Sequence, residues 1–137
     1  MKNLINQLIN NKDLKSAILR ISLSLVFLYF GFSQVTNPEE WIGFVPEFLT
    51  GLILTANNIV MINGILELVL GSFMLIGFFT RPSSLILGIN LLFIATSIGI
   101  NPTGIRDAGL TIATFVIFLN GPDKYTIDSK LVIRRLK

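Results

Sequence analysis

The chain has 137 residues, which predicts one domain, and its composition is that of a membrane protein. It is 52% hydrophobic and 14% charged, with a mean hydropathy of +0.73, whereas ordinary globular chains are about 25% charged. It contains no cysteine and no histidine, which excludes thiol catalysis, disulfide exchange, iron–sulfur clusters and thiolate or imidazole zinc sites. The net charge of +3 comes from basic tails that suit anionic lipid headgroups, and we expect no nucleic-acid partner.

Residues 1–16 form a polar segment that precedes the first hydrophobic span. One helical face of this segment is apolar and carries Leu4, Ile5, Leu8 and Ile9. Two interpretations stay open, a frayed cytoplasmic tail and a short amphipathic helix lying on the lipid surface. The charged stretch is too long, and lacks the small-residue cleavage site, for a secretory signal.

The first span, residues 17–35, has a regular stripe of polar and small side chains. Spacings of four and three residues place these side chains on one face of a helix. We therefore expect this face to contact other helices, and the remaining apolar residues to face lipid. The stripe consists of Arg20, Ser24, Phe27, Gly31 and Gln34.

Residues 36–57 connect the first and second spans. Between 41 and 56 the apolar residues follow helical spacing, although Gly43, Pro46 and Gly51 weaken a helix there. A segment of this length is too short to span a bilayer upright. The pattern predicts an interfacial or re-entrant amphipathic helix with Trp41 at headgroup level.

The second span, residues 58–80, contains one charged residue, Glu67. A helix of this length rises about 34 Å, enough to cross a hydrocarbon core of about 30 Å. A carboxylate inside that core is costly, so Glu67 must meet a partner or stay protonated. Asn63, Glu67 and Gly71 share a narrow face that should point inward, and Arg81-Pro82 should end the helix.

The third and fourth spans are predicted at residues 83–100 and 104–120. Small residues four apart in the third span would allow close helix packing. The fourth span needs a start near Gly104, which places Arg106 and Asp107 at the edge of the hydrocarbon. Residues 121–137 then form a basic tail.

The distribution of basic residues predicts the orientation. The N-terminal segment through Arg20 holds four Lys and Arg residues, the turn at 81–82 one and the C-terminal tail five, while Arg106 is alone on the opposite side. Both termini should therefore be cytoplasmic. The sequence as a whole predicts an all-α fold, a four-helix transmembrane bundle with short loops.

The polar residues of the spans predict one buried cluster near the outer face. Arg106 is the expected partner of Glu67, with Asn63 and Gln34 completing the network and Asp107 competing for Arg106 or holding its guanidinium. This cluster could be a structural clasp between helices, a ligand or proton site, or a protonated and unpaired Glu67.

The remaining charged residues suggest no chemistry. Arg20 is interpreted as an anchor reaching the inner surface, and Asp123 and Asp128 as solubilising groups of the tail. The sequence contains no nucleophile elbow, no glycine-rich phosphate loop and no carboxylate pair at metal spacing. We expect no catalytic residue and no metal or covalent cofactor.

Several local features together resemble the DoxX family of small bacterial and archaeal membrane proteins. They are the first span LRISLSLVFLYFGFSQVTNPEEW, the second-span ELVLGSFMLIGFFTR, the Arg106-Asp107 pair and the closing GPDKYTIDSK. The family often has lysine where this chain has Gln34, which puts in question any role that needs a cation there.

The resemblance implies a prokaryotic cytoplasmic membrane location and a link to redox complexes, since the family includes the membrane subunit of thiosulfate:quinone oxidoreductase. The first functional hypothesis is a noncatalytic or quinone-docking subunit, with a bound quinone and with other membrane or redox proteins as partners. The second is an assembly or stability factor for another membrane protein. The third is a small-solute or proton carrier using Glu67, for which self-association could build a path.

Overall fold

The computed structural model describes residues 10–51 and 54–135, with side-chain surroundings through residue 131. The apolar face predicted at residues 4–9 lies outside these ranges. Within these ranges, four helices are long and apolar enough to cross a membrane, which confirms the predicted transmembrane bundle. They are α1 (Lys12–Thr36), α2 (Ala56–Ile76), α3 (Thr80–Ile98) and α4 (Pro102–Asn120), and a shorter α5 (Ile127–Arg135) follows them.

Consecutive helices run antiparallel. Near the start of α1, Arg20 reaches backbone carbonyls at the end of α2, and near the end of α1, Gln34 meets Asn63 at the start of α2. The bundle thus has a terminal end, where α1 begins and α4 ends, and a far end, where α1 ends and α4 begins. Between the two ends lies an apolar core made of Leu23, Phe27, Met74, Leu87, Leu91 and Ile117.

The stripe predicted on α1 is the face that packs. All five of its members are buried, whereas Ile18, Leu25 and Phe32 on other faces are 57%, 55% and 64% exposed. Exposing an apolar side chain to lipid carries no free-energy cost, whereas exposing a polar one does. The polar residues therefore face the other helices, together with the small residues that allow close packing. Of the predicted inward face of α2, Glu67 and Gly71 are buried and Asn63 is half-buried.

Two glycines let α1 and α2 approach closely. A Cβ atom added at Gly31 would lie 2.8 Å from the carbonyl oxygen of Gly64, and one added at Gly64 would lie 2.9 Å from the carbonyl oxygen of Gly31. Each backbone therefore occupies the space that the other's side chain would need. The contact lies one turn from Gln34 and Glu67, so it sets the separation at which those side chains meet.

The connection between α1 and α2 differs from the predicted amphipathic helix. Its described residues form three 3-10 helices, Pro38–Glu40, Ile42–Phe44 and Glu47–Leu49, rather than a helix over 41–56. Pro46 has an extended backbone with ψ of 137°, which interrupts any helix at that point. The helical spacing of apolar residues was not enough to form a helix against the helix-breaking effect of the proline and the glycines.

The turn between α2 and α3 also differs from the prediction. Helix α2 ends at Ile76, and Gly77 adopts a left-handed backbone with φ of 73°. Arg81 and Pro82 do not stop the second span but lie in the first turn of α3. Proline is tolerated there because the first amides of a helix have no partner within the helix.

The terminal end is held by a buried ion pair that the sequence did not predict. Arg20 Nε donates to Asp123 Oδ2 at 2.8 Å, and the side chains of Arg20 and Asp123 are 3% and 0% exposed. Arg20 Nη1 also donates to the carbonyl oxygens of Met74 and Leu75. Arg20 is therefore not a surface anchor, and Asp123 does not solubilise the tail. Together they join α1, α2 and the segment after α4, and we call this group the terminal clasp.

Asp128 is likewise structural. Its carboxylate accepts hydrogen bonds from the backbone N–H groups of Phe79 and Thr80, at 2.9 and 2.7 Å. These amides belong to the start of α3, where Phe79 offers no side-chain cap of its own. The carboxylate therefore caps α3 from a distant part of the chain.

Replacing Asp128 with alanine should lower the free energy of unfolding by about 1–2 kcal/mol, the usual cost of losing a helix cap. Asparagine should recover part of the loss because its carbonyl oxygen still accepts. Unfolding in mixed detergent micelles would measure both variants. Equal stability of the alanine variant and the parent would contradict the capping role.

Candidate functional site

A polar cluster lies at the far end of the bundle, among α1, α2 and α3. The Glu67 carboxylate accepts one hydrogen bond from Gln34 Nε2 and one from Asn63 Nδ2, each 3.0 Å long. Asn63 Nδ2 also donates to Gln34 Oε1 at 2.7 Å, and Asn63 Oδ1 accepts from Asn90 Nδ2 at 2.9 Å. Glu67 is 3% exposed and Gln34 6% exposed, so the bond between them is buried, whereas Asn63 and Asn90 are half-buried. We call these four residues the polar cluster.

Three residues of the polar cluster, Gln34, Asn63 and Glu67, were predicted from the sequence, and Asn90 is the fourth member. Asn90 was not predicted, because it stands alone as an amide in the middle of the third span and no residue near it in the sequence suggested a partner. An isolated amide within an apolar span was the available signal, since such a group needs a hydrogen-bond partner in lipid.

Arg106 does not pair with Glu67. Its Nε donates to the carboxylate of Asp107, its neighbour on α4, at 2.8 Å, and its side chain is 46% exposed. The guanidinium carbon also lies 5.0 Å from the centroid of the Phe30 ring. Of the predicted roles, Asp107 holding the guanidinium in place matches this geometry. Glu67 is thus held by neutral amides rather than by a cation.

A cavity of about 170 Å³ adjoins the polar cluster. All four spanning helices and the 3-10 connection contribute to its wall. The apolar part of the wall is mostly aliphatic and includes five aromatic side chains. Phe44 and Phe93 are 42% and 44% exposed, so part of the lining lies at the protein surface. The polar lining comprises the four residues of the cluster together with Ser97, Thr103, Arg106 and Asp107.

The size and the lining of the cavity suit a small aromatic ring with polar substituents. An apolar cavity of about 150 Å³ can bind benzene, so this one has room for a single six-membered ring. Phe27, Phe30 and Phe44 offer apolar and aromatic contacts to such a ring, and the polar cluster offers hydrogen bonds on one side. Among the described residues, no group of three or more acidic side chains could hold a metal ion.

Comparison with known proteins identifies the family. The DoxX family model matches residues 16–99, which is more than half of the chain and covers the first three spans with the connection between them. A search of the curated proteins and a search of the solved structures each found no match. The four apolar helices agree with a multi-pass membrane protein. The chain therefore belongs to the DoxX family.

Proposed function

We propose that this DoxX-family protein docks the head group of a quinone, in its oxidised or reduced form, as a noncatalytic subunit of a redox complex in a prokaryotic cytoplasmic membrane. The observation that carries the proposal is the ring-sized cavity, with aromatic side chains in its wall and the polar cluster beside it. Quinones dissolve in the bilayer, so a binding site in a spanning bundle with part of its lining at the surface suits them.

In this proposal, electron transfer belongs to another component. Without cysteine or histidine the chain has few side chains that could hold a redox centre. The electrons that interconvert quinone and hydroquinone would come from a redox partner protein, and this chain would bind and orient the ring. With both termini cytoplasmic, as the basic residues predict, the cavity would lie near the outer face.

A single tryptophan makes the proposal directly testable. Trp41 is the only tryptophan of the chain and lines the cavity, where its Nε1 donates to Ser33 Oγ at 3.1 Å. A short-chain benzoquinone or its hydroquinone, titrated into purified protein, should quench the Trp41 fluorescence with a saturable dependence on ligand concentration. Quenching by both ligands that rises linearly, without saturation, would contradict the proposal.

A matched pair of variants separates binding in the cavity from partition into detergent. Ile94 lines the cavity, whereas Ile89 on the same helix is 55% exposed and is not part of the lining. Ile94→Phe should fill the cavity and weaken saturable binding about tenfold or more, the effect of losing roughly 1.4 kcal/mol. Ile89→Phe should leave binding unchanged. Equal effects of the two substitutions would place the ligand elsewhere.

A further inference from the structure

Resting on the proposed function, we infer that the cavity selects the reduced form of its ligand, an aromatic ring that carries hydroxyl groups, over the oxidised quinone. The two forms have nearly the same ring, but the quinone oxygens only accept hydrogen bonds, whereas the hydroquinone hydroxyls also donate them. The preference for the reduced form follows from which hydrogen-bond donors and acceptors of the cavity wall are already bonded to other protein groups.

The donors next to Glu67 are largely occupied. Both N–H groups of Asn63 Nδ2 are engaged, one with Gln34 Oε1 and one with Glu67 Oε1. Gln34 Nε2 donates one N–H to Glu67 Oε2, and Asn90 Nδ2 donates one to Asn63 Oδ1. Among the described residues, the second N–H of each of these last two amides has no acceptor.

Several acceptor oxygens of the cavity wall can accept a further hydrogen bond from a ligand. Each oxygen of the Glu67 carboxyl group accepts one hydrogen bond from a described residue, and a carboxyl oxygen can accept a further one. Asp107 is 4% exposed, and its carboxylate receives a bond from Arg106 Nε alone among the described side chains. Asn90 Oδ1 likewise receives no bond from a described residue. The buried polar side chains of the wall, Gln34, Glu67 and Asp107, therefore offer a ligand more acceptor oxygens than spare N–H groups. The donors of Ser97, Thr103 and Arg106 belong to exposed or half-buried residues.

The energetic consequence differs between the two forms. A hydroxyl that donates to the Asp107 carboxylate, which is paired with Arg106, forms a charge-assisted hydrogen bond, about twice as strong as a neutral one. A quinone carbonyl at the same position would face oxygen lone pairs and would gain no hydrogen bond there. Arg106 can donate to a carbonyl, but its side chain is 46% exposed, so part of that bond is already made to solvent or headgroups.

Calorimetric titration of the purified full-length protein under argon tests this inference with three ligands of one ring size. They are a short-chain benzoquinone, its hydroquinone and the dimethyl ether of that hydroquinone, which keeps the oxygens but has no donor. The hydroquinone should bind about tenfold or more tightly than either of the others, as expected for one gained charge-assisted bond. Equal affinities for quinone and hydroquinone, or tight binding of the ether, would overturn the inference while leaving the proposed function intact. If none of the three binds, the proposed function fails as well.

Two carboxylate-to-amide variants locate the effect. Glu67→Gln and Asp107→Asn each replace an acceptor oxygen with a donor amide, so each should reduce the ratio of hydroquinone to quinone affinity by about threefold or more. The ratio is informative even where a variant lowers both affinities, and the two positions lie on different helices, so either variant serves alone if the other does not fold. Glu40→Gln, an exposed carboxylate on the connection, is the matched control and should leave the ratio unchanged. An unchanged ratio in both cavity variants would also overturn the inference.

Discussion

Replacing Asp123 with asparagine should lower the free energy of unfolding by about 3–5 kcal/mol, the cost of removing one partner of a buried ion pair. The substitution keeps the volume of the side chain but leaves the Arg20 guanidinium, 3% exposed in the parent, without its counter-charge. Asp123 Oδ1 also accepts from the backbone N–H of Tyr125 at 2.9 Å, so the path of the chain after α4 depends on the same carboxylate. Unfolding in mixed detergent micelles measures the loss.

A double-mutant cycle shows whether the terminal clasp is the cause. Arg20→Met removes the charge and the side-chain hydrogen bonds to the carbonyl oxygens of Met74 and Leu75, so this variant should be destabilised as well. The double variant should lose less than the sum of the two single losses, because the pair is one interaction. Glu40→Gln, at an exposed position, should change stability by no more than about 0.5 kcal/mol. A loss below about 1 kcal/mol for Asp123→Asn would indicate a solvated pair instead.

Replacing Gly31 with alanine should destabilise the bundle by about 1–3 kcal/mol, the usual cost of overpacking a close contact. The new methyl group would lie 2.8 Å from the carbonyl oxygen of Gly64 and 3.0 Å from the backbone nitrogen of Leu68, so α1 and α2 must separate. This separation would also lengthen the hydrogen bond between Gln34 and Glu67. The variant should therefore bind the ring more weakly, measured by the saturable quenching of Trp41 fluorescence.

Gly109 provides the matched control for that substitution. It is also a helical glycine of a spanning helix, but a Cβ atom there would have no neighbour within 4 Å. Gly109→Ala should leave ring binding unchanged and should stabilise the helix by up to about 1 kcal/mol, since alanine favours helix more than glycine does. Similar stability changes in the two variants would mean that the contact between Gly31 and Gly64 does not limit the helix separation.

Features that depend on spacing along one helix could be predicted from the sequence. The buried stripe on α1 and the inward face of α2 are of this kind, because a helix fixes which residues share a face. Three apolar segments of spanning length, and a fourth that required a helix start near Gly104, were sufficient to predict the bundle. The same rule failed for the connection after α1, where the local conformation of Pro46 and the glycines outweighed the spacing of apolar residues.

Contacts between distant parts of the chain could not be predicted in the same way. Arg20 and Asp123 are 103 residues apart, and no local sequence pattern around either residue predicts that they pair. Asn63 and Asn90 meet only because α2 and α3 bring them to the same depth. Arg106 was predicted as the partner of Glu67 because the two residues were expected at similar depths in the membrane. Depth does not determine the direction of a side chain, and Arg106 pairs with the adjacent Asp107.

The most direct test of the central claim is to map where a photoreactive short-chain quinone attaches to the purified protein. Irradiation followed by peptide mass spectrometry should find the label on cavity-lining segments, around Phe27 to Gln34, Trp41 to Leu49 and Asn90 to Ile98. Excess unlabelled hydroquinone should suppress the labelling, and Ile94→Phe should reduce it. Labelling spread over the lipid-facing surfaces, with no suppression by the competitor, would contradict the claim that this cavity docks the ring.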